Sequence, residues 1–508
     1  MNTLIDTLFQ NWTPQAGDKI FMTTGDGATI TRNAFQHQMN QLGHALLAQG
    51  VQPGDRVAVQ VEKSPQAFAL YCAVVKIGAV FLPLNTGYTI SELDYFIADA
   101  EPHVVVADPA DATNLSAQIN RPEISFLTLD ENGTGSLMDM ANGQPTTLDP
   151  TPRGEDDLAA ILYTSGTTGR SKGAMLSHKN LLSNAEMLRE YWAFTEDDIL
   201  LHALPIYHTH GLFVAGNIMT LVGGSMIFLP KFDTDTMITM LPKATTMMGV
   251  PTFYTRLLAD SRLNKDLTKD MRLFISGSAP LLAETHIDFE TRTGHRILER
   301  YGMTETNMNT SNPYNGDRRA GTVGFPLPGV SIRVVGSENQ AELPAGEIGI
   351  IEVKGDNVTS GYWRNPEKTA ESFTPDGYFI TGDMGMIDDS GYITIVGRDK
   401  DLIISGGLNI YPKEVEDAIN DIDGINESAV IGVAHPDFGE AVVAMIVLEN
   451  TAAGQALEDK AIMVILKDQL AKFKQPKAIK FVEALPRNTM GKVQKAEMRK
   501  TYADLFSA

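Results

Sequence analysis

The stretch that decides the fold lies at residues 163–173 and reads Tyr163-Thr164-Ser165-Gly166-Thr167-Thr168-Gly169-Arg170-Ser171-Lys172-Gly173. It follows a short apolar segment at 158–162 that is typical of a strand. Glycines allow the backbone to curl, and backbone N–H groups, hydroxyls and a cation that converge on a small space suit a polyphosphate. A Walker A pattern cannot be aligned on the run. Runs of Ser, Thr and Gly are also common in solvated loops, so further motifs have to decide between the two interpretations.

Composition sets the class of protein. A chain of 508 residues is too long for one ordinary hydrophobic core, so two or more domains are expected. Its 43% hydrophobic and 20% charged residues are typical of a soluble globular protein. A net charge of −22 opposes general binding to nucleic acid, which requires neutralisation of phosphates. Cationic patches are therefore expected to be local and to serve small anionic ligands.

Several features indicate a cytoplasmic protein without a membrane partner. Cys72 is the only cysteine and lies in an apolar run, so an internal disulfide is impossible. The first residues lack a basic region followed by an apolar stretch, and residues 505–508 match no peroxisomal or lipidation signal. Residues 201–230 contain no Asp, Glu, Lys or Arg, which is long enough to span a bilayer, but glycines interrupt them. We predict a buried helix at 212–221, a Gly-Gly turn and a core strand at 225–229.

Strand and helix patterns alternate along the first part of the chain, which predicts parallel sheets covered by helices. The predicted helices are 39–48, 66–77 and 90–98, and the predicted strands are 56–61, 79–84 and 103–107. A second α/β stretch runs from the phosphate loop to about residue 302, and short strands between glycine turns at 329–397 predict a β-rich subdomain. The charged segment 397–401 is a candidate boundary, with a small α+β unit beyond it.

Further motifs follow the phosphate loop in order. A strand at 273–275 leads into Ser276-Gly277-Ser278-Ala279-Pro280-Leu281, and Tyr301-Gly302-Met303-Thr304-Glu305 comes next. Thr381-Gly382-Asp383, Gly397-Arg398-Asp399-Lys400-Asp401, the glycine-containing segment 402–412 and Pro486–Val493 complete the set. Together these motifs resemble those of the acyl-adenylate-forming enzymes, which include acyl-CoA synthetases, luciferases and the adenylation domains of peptide synthetases.

The resemblance implies an α/β fold of two parts. A large N-terminal domain, 1–397, would contain two parallel α/β sheets and a β-rich subdomain and would bind AMP and the acyl group. Residues 398–400 would be the hinge, with Lys400 as its pivot, and 401–508 would form a small mobile α+β domain that carries the adenylation lysine, Lys492. Such movement lets one chain catalyse two half-reactions.

The resemblance also implies the site residues for ATP, Mg²⁺ and coenzyme A. Tyr301 would lie on adenine with Gly302 and Met303 beside it, Thr304 would contact the α-phosphate, and Glu305 would hold Mg²⁺ together with Thr168. Asp383 would bind the ribose, as expected for a carboxylate that accepts from two vicinal hydroxyls, although Ile380 stands where the family often has Arg or Lys. The remaining implied groups are the phosphate-loop residues Thr164, Ser165, Gly166, Thr167, Thr168, Gly169 and Lys172, the adenine and acyl wall Ser278, Ala279 and Pro280, the ribose or phosphate arginine Arg398, and Gly406 and Gly407, which would let the pantetheine arm pass.

The acyl pocket decides the substrate. The family places the segment 205–211 beside this pocket, so His210 is expected to contact substrate together with Ser278; a zinc site at His202, His208 and His210 lacks a completing ligand set. Arg256 interrupts an otherwise neutral stretch, 247–258. It is either an ordinary surface arginine or a buried cation that binds a second, non-reacting carboxylate.

Blocks at 57–65, 81–86, 206–212, 272–281 and 379–385 resemble the malonyl-CoA synthetase subgroup and favour the second interpretation of Arg256. The prediction is therefore a malonate–CoA ligase that also accepts methylmalonate if the extra methyl does not clash. It would act as a monomer or homodimer. A medium-chain or aromatic acyl-CoA synthetase, a free-standing peptide-synthetase domain and a catalytically silent nucleotide-binding protein remain as alternatives.

Overall fold

The computed structural model describes residues 1–164, 171–336, 340–405, 408–436, 438–488 and 491–506. The chain forms two compact units. The first consists of Met1–Ile332 and Val353–Phe379, and the second consists of Arg333–Glu352 and Ile380–Ala508.

The described strands are, in chain order, β1 (Ile20–Thr24), β2 (Thr29–Thr31), β3 (Arg56–Gln60), β4 (Val80–Pro83), β5 (Val104–Ala107), β6 (Ser125–Thr128), β7 (Leu158–Thr164), β8 (Lys172–Ser177), β9 (Ile199–His202), β10 (Ser225–Phe228), β11 (Thr246–Gly249), β12 (Leu273–Ser276), β13 (Leu298–Met303), β14 (Asn307–Ser311), β15 (Phe325–Pro326), β16 (Ser331–Val335), β17 (Gly349–Lys354), β18 (Phe379–Ile387), β19 (Ile393–Arg398), β20 (Ile403–Ser405), β21 (Leu408–Ile410), β22 (Ile425–His435), β23 (Gly439–Leu448) and β24 (Ala478–Phe481).

The described helices are α1 (Thr3–Leu8), α2 (Arg32–Ala48), α3 (Pro65–Lys76), α4 (Ile90–Ala100), α5 (Pro109–Ile119), α6 (Ser136–Ala141), α7 (His178–Tyr191), α8 (Asn217–Val222), α9 (Thr234–Met240), α10 (Pro251–Leu258), α11 (Ala283–Thr293), α12 (Pro366–Glu371), α13 (Pro412–Asn420), α14 (Ala452–Gln455), α15 (Asp459–Gln469) and α16 (Lys495–Thr501). A π-helical turn, His210–Gly216, precedes α8 directly. No described helix is both long and apolar enough to cross a bilayer.

Two large sheets build the first unit. One has the order β6-β5-β3-β4-β7-β8, in which all neighbours are parallel except β7 and β8. The other has the order β15-β14-β13-β12-β11-β9-β10-β1-β2, with a parallel centre from β13 to β1 and antiparallel edges. The central strands are buried on both faces, as expected for parallel strands covered by helices.

The second unit contains most of a four-stranded sheet, β16-β17-β18-β19, and the sheet β21-β20-β23-β22 with β24 beside β23. The long hairpin β22–β23 is antiparallel, and its two faces contribute to separate apolar clusters. One cluster includes Val415 and Ile419 of α13 with Ile462 and Leu466 of α15. The unit is thus an α+β structure, as the alternation of apolar positions beyond residue 401 predicts.

The predicted α/β fold class is confirmed, with large parallel sheets in the N-terminal part and a smaller C-terminal part. The apolar stretch 201–230 also folds as predicted, since a helical segment ends at Gly223, whose φ of 65° terminates it, and β10 follows. One helix differs clearly from its prediction: α2 begins at Arg32 rather than residue 39, because the Thr31 side chain caps it by accepting from the Ala34 N–H. The domain boundaries 1–397, 398–400 and 401–508 stay predictions.

Candidate active site

The phosphate-loop motif is built on the hairpin of β7 and β8. Thr164 pairs with Lys172 across this hairpin, and the Thr164 hydroxyl donates to the Lys172 carbonyl over 3.5 Å. The hairpin therefore brings the two ends of the motif together at the edge of the sheet. The predicted loop residues Ser165, Gly166, Thr167, Thr168 and Gly169 lie outside the described residues, so their ATP contacts and the metal role of Thr168 stay predictions.

Tyr362 links the phosphate-loop strand to the predicted metal carboxylate. It forms an antiparallel bridge with Ala174 of β8. Its hydroxyl donates to Glu305 Oε1 over 3.0 Å, and its ring centroid lies 5.4 Å from Lys172 Nζ. Burial lowers the pKa of Lys172, as does Lys368 to a smaller extent, while the Glu305 charge raises it. Lys172 and Glu305 are thus brought to the same ring, a contact that sequence reasoning did not find.

The Tyr301–Glu305 motif requires its glycine. A Cβ at Gly302 would lie 1.9 Å from the Asn307 carbonyl oxygen, so only glycine allows β13 and β14 to approach here. Glu305 is 6% exposed, and its carbonyl accepts from the Thr359 N–H over 2.7 Å. Tyr301, Met303 and Thr304 are half-buried. The fold therefore fixes the Glu305 carboxylate firmly and leaves the preceding residues partly accessible.

The donor set fits Mg²⁺ only together with a nucleotide. Among the described residues there is no group of three His, Cys, Asp or Glu side chains that could hold a metal ion. Mg²⁺ characteristically takes one or two protein carboxylates, substrate phosphates and water. A single buried carboxylate, Glu305, near Lys172 matches that chemistry.

His210 and Ser278, which were each expected at the acyl site, contact each other. His210 Nδ1 lies 3.2 Å from Ser278 Oγ, and Ser278 adopts the left-handed conformation with φ of 72°. Burial, and secondarily the nearby Arg300 charge, hold the pKa of His210 well below its usual value, so the imidazole is neutral. His210 Nε2 is buried and has no hydrogen-bond partner in the described part of the chain. Ala279 and Pro280 follow Ser278 on the loop after β12.

Arg300 is a buried cation close to Ser278 that sequence reasoning did not single out. It is 3% exposed, and its guanidinium packs on Gly277, where an added Cβ would meet Cζ at 2.4 Å. Its Nε and Nη2 have no hydrogen-bond partner among the residues that the structure describes. Burial lowers its pKa to about 9, an effect that Tyr254 and Glu299 partly offset. A buried arginine with two open donors is a ready site for an anion.

Arg256 is not the buried cation that one interpretation expected. On α10, Phe253, Tyr254 and Leu257 face the core, and the helical period turns Arg256 to the exposed side. There its guanidinium lies 5.8 Å from the ring centroid of Phe232. The expectation of burial is therefore wrong, and a contact between Arg256 and substrate stays a prediction.

The second unit carries the other predicted residues. Asp383 and Arg398 face each other on β18 and β19, and Arg398 Nε lies 2.6 Å from Asp383 Oδ1. Arg398 Nη1 also donates to the Thr381 carbonyl over 3.2 Å. The predicted hinge residue Lys400 lies in a 3₁₀ turn, Asp399–Asp401, and is exposed.

Lys492 is exposed on a tight turn of the second unit. Its N–H donates to Asn488 Oδ1 and its carbonyl accepts from the Asn488 N–H, each over 2.9 Å. Gly491 supplies the left-handed conformation that the turn needs, with φ of 76°. Gly406 and Gly407 lie outside the described residues, so their role for coenzyme A stays a prediction.

Comparison with known proteins decides the family. Residues 9–363 match the family model of the AMP-binding enzymes, and residues 414–492 match the model of the AMP-binding enzyme C-terminal domain. The chain belongs to the AMP-binding enzyme family. It is an AMP-forming CoA ligase by that membership and by its similarity to ligases of the same reaction type.

Relatives in this family include ligases for several acids. The chain is 35% identical to a malonate–CoA ligase of Arabidopsis thaliana, over 88% of this chain and 78% of that protein. It is 34% identical to a feruloyl-CoA synthase of an Amycolatopsis species, over 94% of each chain. Among solved structures, ATP-bound MatB of Rhodopseudomonas palustris is 55% identical, covers 100% of both chains and superposes with a TM-score of 0.96.

Proposed function

We propose that this member of the AMP-binding enzyme family is a malonate–CoA ligase. Malonate and ATP would form malonyl-adenylate and diphosphate, and coenzyme A would then displace AMP to give malonyl-CoA. The relatives named as malonate–CoA ligases support this assignment. The observation that carries it is the buried Arg300 beside the predicted acyl site.

A dicarboxylate needs a cation for its non-reacting end. The guanidinium of Arg300 lies on Gly277, next to Ser278, and keeps Nε and Nη2 open. A carboxylate that accepts from both nitrogens would satisfy two donors that burial has already stripped of water. A fatty or aromatic acid would leave the buried charge unsatisfied, which costs binding free energy. Arg300 thus favours malonate over these acids.

His210 defines the other wall. Because its imidazole is neutral, it adds a hydrogen-bonding group without a second positive charge. Ser278 Oγ, within 3.2 Å of His210 Nδ1, is a donor that can rotate toward a substrate oxygen. Methylmalonate has one additional methyl group, and a group of this size changes the binding free energy by only about 1–3 kcal/mol. We therefore propose it as a second substrate.

The adenylation step requires that two anions approach each other. Lys172 would bind the β- and γ-phosphates, Thr304 the α-phosphate, and Glu305 would hold Mg²⁺ with Thr168. Bound Mg²⁺ would neutralise phosphate charge. Lys492 would bridge the attacking carboxylate and the α-phosphate, since a positioned cation stabilises the charge that both contribute to the transition state. Asp383 would bind the ribose, with Arg398 orienting it through the ion pair at 2.6 Å.

The thioester step would use other parts of the chain. Gly406 and Gly407 would line the pantetheine path, and Lys400 would be the pivot between the two half-reactions. We also propose that the protein works in the cytoplasm, which its single, buried cysteine, Cys72, supports, and that it is a monomer or homodimer.

The experiment that tests the function is CoA-dependent AMP formation from ATP and Mg²⁺ with malonate, methylmalonate, acetate, octanoate and benzoate in parallel. We expect malonate to give the highest kcat/KM. A preference for octanoate or benzoate would refute malonate as the substrate and keep the adenylation chemistry. ATP binding without turnover of any acid would instead favour a catalytically silent protein.

A further inference from the structure

Lys63 is a buried lysine that the proposed reaction does not use. It lies between β3 and α3 in the first unit and is 6% exposed. Its Nζ lies 2.8 Å from His202 Nδ1 and 2.8 Å from the His202 carbonyl oxygen. The same nitrogen lies 4.2 Å from the ring centroid of Phe228. Burial holds the pKa of Lys63 well below its usual value.

The contacts of His202 fix its tautomer. Its Nε2 lies 2.9 Å from the carbonyl oxygen of Gly211, which can only accept a hydrogen bond. Nε2 therefore carries the proton, and Nδ1 accepts from the Lys63 amino group. Both ring nitrogens of His202 are used, and its imidazole is neutral because burial, and then Lys63, lower its pKa. Lys63 and Gly211 are thus joined through one oriented ring.

Gly211 lies in the π-helical turn His210–Gly216, which carries the predicted substrate residue His210. A Cβ at Gly211 would lie 2.1 Å from the Pro205 carbonyl oxygen, so the Gly211 backbone packs directly against the backbone of Pro205. His202 holds it on the other side through the Gly211 carbonyl. His210, the neighbouring residue, directs Nδ1 to Ser278 Oγ.

We propose that Lys63 is a positioning residue for the acid site: through His202 and the Gly211 carbonyl it holds the turn that presents His210. This inference rests on the proposed function, because it takes His210 and Ser278 as part of the acid site. Burying a lysine amino group in an apolar setting costs stability. What it supplies in return is a donor that fixes the ring and carbonyl of His202 at once.

The test compares Lys63→Met with Lys76→Met. Lys76 ends α3, the helix that follows Lys63. It is 9% exposed and donates to Asn40 Oδ1 over 2.7 Å, so it matches Lys63 in residue type and burial and also donates to a side chain. For Lys63→Met we expect KM for malonate to rise about 10-fold or more while KM for ATP stays within about twofold. For Lys76→Met we expect both KM values to stay within about twofold.

A spectroscopic readout separates positioning from a loss of folded protein. In ¹⁵N spectra of the histidine rings, Lys63→Met should shift the signals of His202 and His210, and Lys76→Met should leave both in place. Lys63→Gln keeps a shorter donor and should show a smaller rise in KM for malonate than Lys63→Met; it also serves if Lys63→Met does not fold. Unchanged KM for malonate, equal rises for malonate and ATP, or unshifted His210 signals in Lys63→Met would overturn the proposal.

The same experiments distinguish a failure of the malonate assignment from a failure of the positioning role of Lys63. If the wild-type protein turned over another acid in preference to malonate, the malonate assignment would fall. The Lys63 and Lys76 comparison would then be made with that acid, and a rise confined to the KM of the acid would still support the positioning role.

Discussion

Replacing Arg300 by Met should move activity and stability in opposite directions. The pKa of Arg300 is lowered to about 9 from an ordinary value of 12.5. A difference of this size means that, in the protein without substrate, the charged form is about 5 kcal/mol less favourable relative to the neutral form than it is for an arginine in water. Methionine fills a similar volume without charge, so we expect Arg300→Met to keep or raise the free energy of unfolding, as when other poorly compensated buried charges are removed.

The expected loss of activity follows from the open donors. Nε and Nη2 would each donate to the free carboxylate, and a hydrogen bond between charged groups contributes about 1.5–3 kcal/mol. Removing both should lower kcat/KM for malonate by about 10²- to 10⁴-fold. Butyrate, which carries an ethyl group in place of the second carboxylate, should lose little or gain, because the pocket no longer contains an unsatisfied charge.

The assay is kcat/KM for malonate and butyrate by AMP release, with thermal unfolding of the same samples. Arg256→Met makes the same change on the exposed side of α10 and tests the other arginine predicted to contact substrate. A large loss of malonate activity in Arg256→Met alone would assign the free carboxylate to Arg256 rather than Arg300. The reasoning would be refuted by an Arg300→Met variant with near wild-type malonate activity, or by equal losses for malonate and butyrate.

Three further predictions concern the nucleotide site and stability. Lys492→Ala should abolish adenylate formation but still convert supplied malonyl-adenylate to the thioester; loss of both steps would contradict the half-reaction role. Tyr362→Phe removes the donor to Glu305 and should raise the Mg²⁺ concentration for half-maximal activity about 5- to 30-fold and weaken Mn²⁺ binding measured by EPR, whereas the buried Tyr71→Phe should do neither. Burial, with a smaller contribution from Arg153, lowers the pKa of His178 to about 4. Below pH 6.5 His178 therefore binds a proton in the unfolded chain but stays neutral in the folded chain. This difference lowers the free energy of unfolding by about 3 kcal/mol by pH 4. His178→Asn should flatten the fall of Tm between pH 7.5 and 5, and an unchanged slope would argue against this cause.

The sequence predicted the parts of the fold that local patterns encode. The apolar runs predicted the ends of β3, α3 and β4 to within about two residues of those in the structure. Strands that are buried on both faces, and the helices that cover them, have a distinctive composition. The early start of α2 was missed because its first turn is mostly polar, and only the Thr31 cap marks it.

Sequence motifs identified some candidate site residues, but they did not identify residues that only their buried position in the fold marks. His210 and Ser278 come from segments 68 residues apart. The family resemblance assigned both to the acyl site, and the structure places them in contact, while their binding of substrate stays a prediction. Arg300 stands beside Tyr301, but no pattern distinguishes an arginine on a doubly buried strand from one on a surface. Tyr362 was missed for a related reason, since its bond to Glu305 spans 57 residues of sequence.

The π-helical turn at His210–Gly216 has a consequence for how this protein tolerates change in its length. A π-helical turn holds one residue more than an α-helical turn, so a one-residue deletion within it would restore regular α-helical winding. Each α-helical residue turns the chain by about 100°, so the deletion would swing His210 away from Ser278 while α8 kept its packing. A loss of three nucleotides from the gene here would therefore yield a protein that still folds and binds ATP but no longer recognises its acid, whereas the same loss in an exposed loop would be nearly silent.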